Sequence, residues 1–174
     1  MERKGVLMEY RIGKIVAVCT RVRGGVPKSP RPWAVICHYG FDGDYHAKPT
    51  RRSFKFPYLP KQNTDRHLTI VGKEVLDALN TELGINLGPG DLGENILVEG
   101  LGDLSEVAPG DMVCLSTKAI LRVSEQNVPC ANLQHYHPLL IRKIMGRRGI
   151  LCSVVAGIGE VILPNDLVWV KKPL

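Results

Sequence analysis

The sequence predicts a mainly β domain, a closed mixed β-barrel with a few short helices, and three observations point there. Apolar runs rich in β-branched residues recur at strand length, as in Ile15-Val16-Ala17-Val18-Cys19, Met112-Val113-Cys114-Leu115 and Ile150-Leu151-Cys152-Ser153-Val154-Val155. Turns rich in glycine and proline separate these runs. Helical periodicity is confined to two stretches, and many short strands with few helices are best satisfied by a sheet that closes and leaves no edge. At 174 residues the chain suffices for one domain with a full hydrophobic core, residues 1–174 with the core at about 15–170, and is short for two.

Taken in order, Tyr10 to Val22 reads as a long first strand. The segment Arg23 to Pro32 follows, where glycines and prolines argue against regular structure. Ala34 to His38 reads as a short strand entering Gly40-Phe41-Asp42-Gly43-Asp44-Tyr45-His46-Ala47. Two glycines there allow a tight turn that presents Asp42, Asp44 and His46 together. Lys48 to Asp65 is polar, basic and carries Pro49, Pro57 and Pro60, so it reads as a long mobile loop, a kind often tied to function. Arg66 to Val71 is a strand candidate leading into Lys73–Leu83, where Val75, Leu76, Leu79 and Leu83 share one helical face before Gly84 ends the run. Gly88 to Val98 is a glycine-punctuated loop feeding a strand. Pro109-Gly110-Asp111 is a turn with strands on both sides, and Ala119 to Val123 is a further strand. Pro138 opens a second helix through Leu139, Leu140, Ile141, Ile144 and Met145, closed by Gly146. Strands over Ile150 to Ala156 and Leu167 to Lys171 complete the chain.

Composition bounds the function. Hydrophobic content of 44% and charged content of 23% suit a globular protein, and no stretch approaches the roughly 20 apolar residues that span a bilayer. The opening Met1 to Glu9 lacks the apolar segment of a secretory signal, so a cytoplasmic location without a membrane is expected. Five cysteines, far apart and without a C-x-x-C pair, argue for reduced thiols over a zinc site or a disulfide framework. A net charge of +6 favours anionic partners. The basic clusters lack interleaved aromatics, so a non-catalytic basic module for nucleic acid is the least favoured class.

Cys130 is the chemical candidate. Cys19, Cys37, Cys114 and Cys152 lie in strand-like runs, whereas Cys130 follows Pro129 in a turn-like context where proline stiffens the loop. A lone cysteine is more often core than chemistry. Asp42, Asp44 and His46 offer too few certain ligands for a closed metal shell, and an ordinary aspartate turn is the simpler account of them. Glu94 and Asn95 at a strand entry either hold a polar ligand or fasten a neighbouring loop. Arg147 and Arg148 read first as a solvated helix end.

Five segments in this order resemble the MOSC family, named after the C-terminal domain of molybdenum-cofactor sulfurases. They are Gly40 to Ala47, Arg66-His67-Leu68-Thr69-Ile70, Gly90-Asp91-Leu92-Gly93-Glu94-Asn95-Ile96, Pro109-Gly110-Asp111 and Pro129-Cys130. The resemblance implies a barrel of the pyruvate-kinase type whose pocket is lined by these loops. It implies the molybdenum cofactor (molybdopterin) as ligand, with the Cys130 thiolate on the metal and reduction of small N-hydroxylated substrates. Arg66 would then donate to the pterin phosphate, while Asp44, His46, Gly93, Glu94 and Asn95 would bind the pterin. The family's second mechanism makes Cys130 a sulfur carrier that takes a persulfide from a pyridoxal-phosphate-dependent cysteine desulfurase. Either use requires a thiolate, which a helix beginning soon after Cys130 would favour. The chain departs from the larger family members in having neither a pyridoxal-phosphate domain nor an extra N-terminal barrel, so a desulfurase or an electron-donor protein is expected as partner.

Overall fold

A computed structural model of the chain describes residues 11–51 and 58–173. Tyr10, the stretch Met1 to Glu9, and Arg52, Lys55 and Pro57 of the expected loop lie outside the described residues.

The strands are β1 (Ile12–Thr20), β2 (Ser29–Arg31), β3 (Ala34–Cys37), β4 (Gly40–Phe41), β5 (Thr50–Arg51), β6 (Lys61–Gln62), β7 (Leu68–Gly72), β8 (Ile96–Glu99), β9 (Met112–Leu115), β10 (Ile120–Gln126), β11 (Ile150–Ala156), β12 (Val161–Ile162) and β13 (Leu167–Lys171). Helix α1 (Lys73–Leu83) follows β7, and α2 (Leu140–Lys143) precedes β11. The main sheet runs β13-β9-β10-β11-β7-β8-β1-β2, and an added β13–β1 pairing closes seven of these strands into a barrel with β2 outside the ring. Every pair in the barrel is antiparallel except β7 and β8, which α1 joins as a crossover.

Alternation along the strands divides the apolar residues between two cores. Leu68 and Ile70 of β7, Ile96 and Val98 of β8, and Ile150 and Cys152 of β11 fill the barrel. Val71 and Leu97 face outward, where Val75, Leu76 and Leu79 of α1 cover them together with Leu133, Leu140 and Ile144. A register shift in β1 between Ile15 and Ala17 breaks the alternation, so that Ile15 and Val18 point inward while Ala17 and Cys19 point outward.

Helix α1 ends, as its sequence predicts, at Gly84 in the left-handed conformation (φ 63°). Four expectations need correction. Ser29–Arg31 is a strand despite its proline: Pro30 lies opposite Cys19 on the sheet edge, where a missing N–H costs nothing. The arms of the Lys48 to Asp65 segment pair as the hairpin β5–β6. No strand runs directly into Pro109: β8 ends at Glu99, and Gly100, Gly102 and Leu104 take positive φ and carry the chain through consecutive turns to it. The second helix is one turn long, with Pro138 outside it and Gly146 in the left-handed conformation beyond its end.

Candidate functional site

On the outer face of the barrel, Thr69 of β7 and Leu151 of β11, which are partners across the ladder, lie in the floor of a cleft of about 580 Å³. The walls are loops. The Gly25 to Lys28 segment, the loop over Tyr45 to Lys48, the β5 residues Thr50 and Arg51, the Asn63 to His67 turn, Gly93 and the Asn127 to Asn132 segment all reach it.

Cys130 stands on the wall formed by the last of these segments and is exposed, whereas Cys19 and Cys152 are buried. Its loop leaves β10 through a bulge. The register shift between Val123 and Glu125 turns Glu125 to the outer face, where its Oε1 accepts a hydrogen bond from Arg66 Nε at 2.6 Å. The loop is then fastened on several sides. Asn127 N–H donates to Gly149 O at 2.8 Å, Arg148 Nη1 donates to Val128 O, and Arg148 Nη2 donates to Leu92 O at 3.2 Å. Downstream, Leu133 is buried in the outer core and Tyr136 Oη donates to Asp91 Oδ1 at 2.9 Å. Arg148 is therefore a buried clamp between the cysteine loop and the glycine-rich loop, not a solvated helix end. Its neighbour Arg147 does lie at the surface, paired with Glu82.

The expected helix dipole is not available to the thiol. Ala131–Leu133 is a three-residue 3₁₀ turn and α2 has four residues, too few aligned peptides for a useful macrodipole.

Of the other sequence-predicted residues, His46, Arg66, Gly93 and Asn95 line the cleft, while Asp44 and Glu94 do not. Asp44 is buried and accepts from Lys28 Nζ at 3.0 Å through both oxygens, as well as from the backbone N–H groups of Arg21 and His46. Glu94 folds into its own loop, where Oε1 accepts from Gly90 N–H at 2.6 Å and Oε2 has no partner among the described residues. Burial pushes its carboxyl up to about 7. Asn95 spends its amide within the barrel wall, donating to Cys19 O and accepting from Thr69 N–H. Asp44 and Asn95 thus engage their side chains in the loops and the barrel wall, and Glu94 keeps only its buried Oε2 without a partner among the described residues. His46 is held below its usual pKa by burial first and by Lys28 second.

Sequence reasoning missed Lys28, Asn63 and His67. Lys28 is 4% exposed, and burial lowers its pKa against the opposing pull of Asp44. His67 bridges two backbones, with Nδ1 accepting from Val154 N–H at 2.9 Å and Nε2 donating to Asn63 O at 2.8 Å. No group of three or more His, Cys, Asp or Glu residues that could hold a metal ion occurs among the described residues. No helix there is long and apolar enough to cross a membrane.

The MOSC domain model matches residues 42–164. The chain belongs to the MOSC family. A MOSC relative is YuaD of Bacillus subtilis (strain 168), named as a candidate metal-sulfur cluster biosynthesis protein; the two are 27% identical over 131 residues, covering 66% of this chain and 68% of YuaD. The crystal structure of Bacillus subtilis YuaD superposes with a TM-score of 0.81 at 21% identity, covering 95% of this chain and 99% of that one. YiiM from Geobacillus stearothermophilus gives 0.65 at 22% identity over 91% of this chain and 75% of its own. YiiM from Escherichia coli gives 0.64 at 20% identity over 96% and 71%. These likenesses establish the MOSC barrel for the chain.

Proposed function

We propose that the cleft binds the molybdenum cofactor, with the Cys130 thiolate as the protein's ligand to the metal, in an oxidoreductase that reduces N-hydroxylated compounds. The observation that carries this reading is an exposed thiol on the wall of a cleft whose described lining holds Lys28, Lys48, Arg51, Arg66 and Arg148 and no carboxylate. An anionic ligand with a sulfur-seeking centre is the complement of that wall.

The residues present fit such a group. The cleft falls within the roughly 300–1,000 Å³ usual for small-molecule sites. The lining guanidinium groups of Arg51 and Arg66 suit a phosphate. Asn127 and Asn132, which line the cysteine wall, offer amides for a heterocycle edge. When bound, the cofactor supplies redox chemistry at molybdenum. The chain's own part is to present the sulfur on a clamped loop, to hold Arg66 in place through Glu125, and to offer neutral His46 as a proton acceptor beside the ligand. Electrons for the reduction come from a donor protein.

A second reading is favoured by the metal-sulfur cluster wording in YuaD's name and by the accessibility of Cys130. In it the Cys130 thiolate attacks the terminal sulfur of a persulfide on a pyridoxal-phosphate-dependent cysteine desulfurase. The donor's S–S bond breaks as the new one forms, the donor leaves as a thiolate, and the transferred sulfur keeps its proton.

Expression in a host that makes the cofactor, followed by elemental analysis, tests the first reading. Molybdenum should approach one atom per chain and fall away in Cys130→Ser. Metal-free protein that cannot be reconstituted overturns it. Incubation with a desulfurase and cysteine tests the second, which requires an added sulfur on Cys130 by mass spectrometry.

A further inference from the structure

We propose that Asn63 is the positioning residue that assembles the cationic wall of the cleft and thereby sets its affinity for an anion. The inference rests on the anionic-ligand reading of the cleft and extends it to a residue in a segment without a recognisable motif.

Asn63 is 2% exposed and spends every polar group it has. Its backbone N–H donates to Pro49 O at 2.8 Å. Its Nδ2 donates to His46 O at 3.2 Å and to Lys48 O at 3.1 Å, and its Oδ1 accepts from Arg66 N–H at 3.3 Å. Its carbonyl accepts from His67 Nε2. The side chain thus joins three residues that line the cleft, and the backbone carbonyl adds a fourth, His67, drawn from segments on either side of the β5–β6 hairpin. The same hairpin carries Arg51, whose guanidinium pairs with Asp65, two residues beyond Asn63.

The residue type follows from the chemistry. Two backbone carbonyls converge on one end of the side chain and an N–H on the other, so the position needs two donors and one acceptor on a short stem. Aspartate would set an oxygen against two carbonyl oxygens. Alanine would leave buried carbonyls without donors, and the wall carrying His46, Lys48 and Arg66 would lose its common anchor.

The test compares the full chain with Asn63→Ala. Inorganic pyrophosphate is the probe in calorimetric titration, and its affinity should weaken by about tenfold in the variant. Alkylation of Cys130 by neutral iodoacetamide should keep its rate, because the cysteine loop hangs from Arg148 and Gly149 instead. A general loosening of the fold would move both readouts. Amide exchange should quicken over residues 46–51 and 63–67 and stay unchanged over 127–133. Unchanged pyrophosphate affinity with unchanged exchange overturns the proposal, as does a parallel change at Cys130. If the unmodified protein binds no pyrophosphate, the anionic reading of the cleft fails, while the exchange measurement still decides the role of Asn63. Asn63→Ser takes its place where the alanine variant does not fold, and failure of both to fold also overturns the proposal.

Discussion

Arg148→Met measures how firmly the reactive loop is held. Arg148 is 7% exposed, its guanidinium donates to Val128 O and Leu92 O, and it has no carboxylate within ion-pair distance among the described residues. A hydrogen bond from a charged donor contributes about 1.5–3 kcal/mol, so two contribute roughly 3–6. Against this stands the cost of keeping a cation out of water, increased by an Nε with no partner among the described residues. Methionine restores most of the volume and none of the donors, which leaves a net loss of about 3 kcal/mol. For a domain of this size that lowers Tm by about 6–12 °C. Calorimetry reads the shift, and iodoacetamide kinetics at Cys130 read the release of the loop, which should show as faster alkylation. A Tm within about one degree of the unmodified protein, with unchanged alkylation, would refute the clamp.

Three further outcomes follow from the buried charges and the tight turns. Lys28→Met strands Asp44 as a lone buried carboxylate and should cost about 3–5 kcal/mol in urea unfolding, and adding Asp44→Asn should recover part of the loss; an additive double mutant would contradict the pairing. Glu94 has a folded pKa of about 7 against an ordinary carboxyl near 4.5, so the folded state binds more protons between those values and stability falls as pH rises across them. Linkage makes the fall about 3 kcal/mol; Glu94→Gln should flatten that slope in unfolding measured from pH 5 to 8, and a slope that persists would assign it to other groups. Gly149 has φ +84° and an added Cβ would meet Ile70 O at 2.0 Å, whereas Gly159, with φ +89°, has open space around it. Gly149→Ala should therefore cost several times the roughly 1 kcal/mol expected of Gly159→Ala by thermal unfolding, and equal costs would show that the backbone shifts freely.

What the sequence makes legible is local. Helix α1 shows its apolar face and its terminal glycine within a dozen residues, and Cys130 is distinguished from the other cysteines by the proline before it. The strands β2, β5, β6 and β12 are two or three residues long and exist through their partners, so no periodicity marks them. The polar framework of the site is equally hidden. Lys28 sits among glycines and prolines that read as a turn, and its partner is sixteen residues away. Arg148 follows Arg147 in one basic run, yet one meets solvent and the other meets carbonyls 20 and 56 residues distant. Glu94 and Asn95 resemble ligand groups by type, and the fold reveals that Gly90 N–H holds one Glu94 oxygen while the β1 and β7 backbones hold the Asn95 amide.

The fate of the two cleft imidazoles narrows the chemistry. His67 has one ring nitrogen committed to the amide of Val154 and the other to the carbonyl of Asn63, so its tautomer is fixed by main chain on both sides. To engage a ligand through Nδ1 it would have to surrender a strand contact. His46 differs: the residue is exposed, and among the described residues its ring makes no hydrogen bond, while partial desolvation first and the neighbouring Lys28 second lower its pKa. A ligand entering the cleft thus meets one imidazole already engaged on both nitrogens and another still open to new hydrogen bonds.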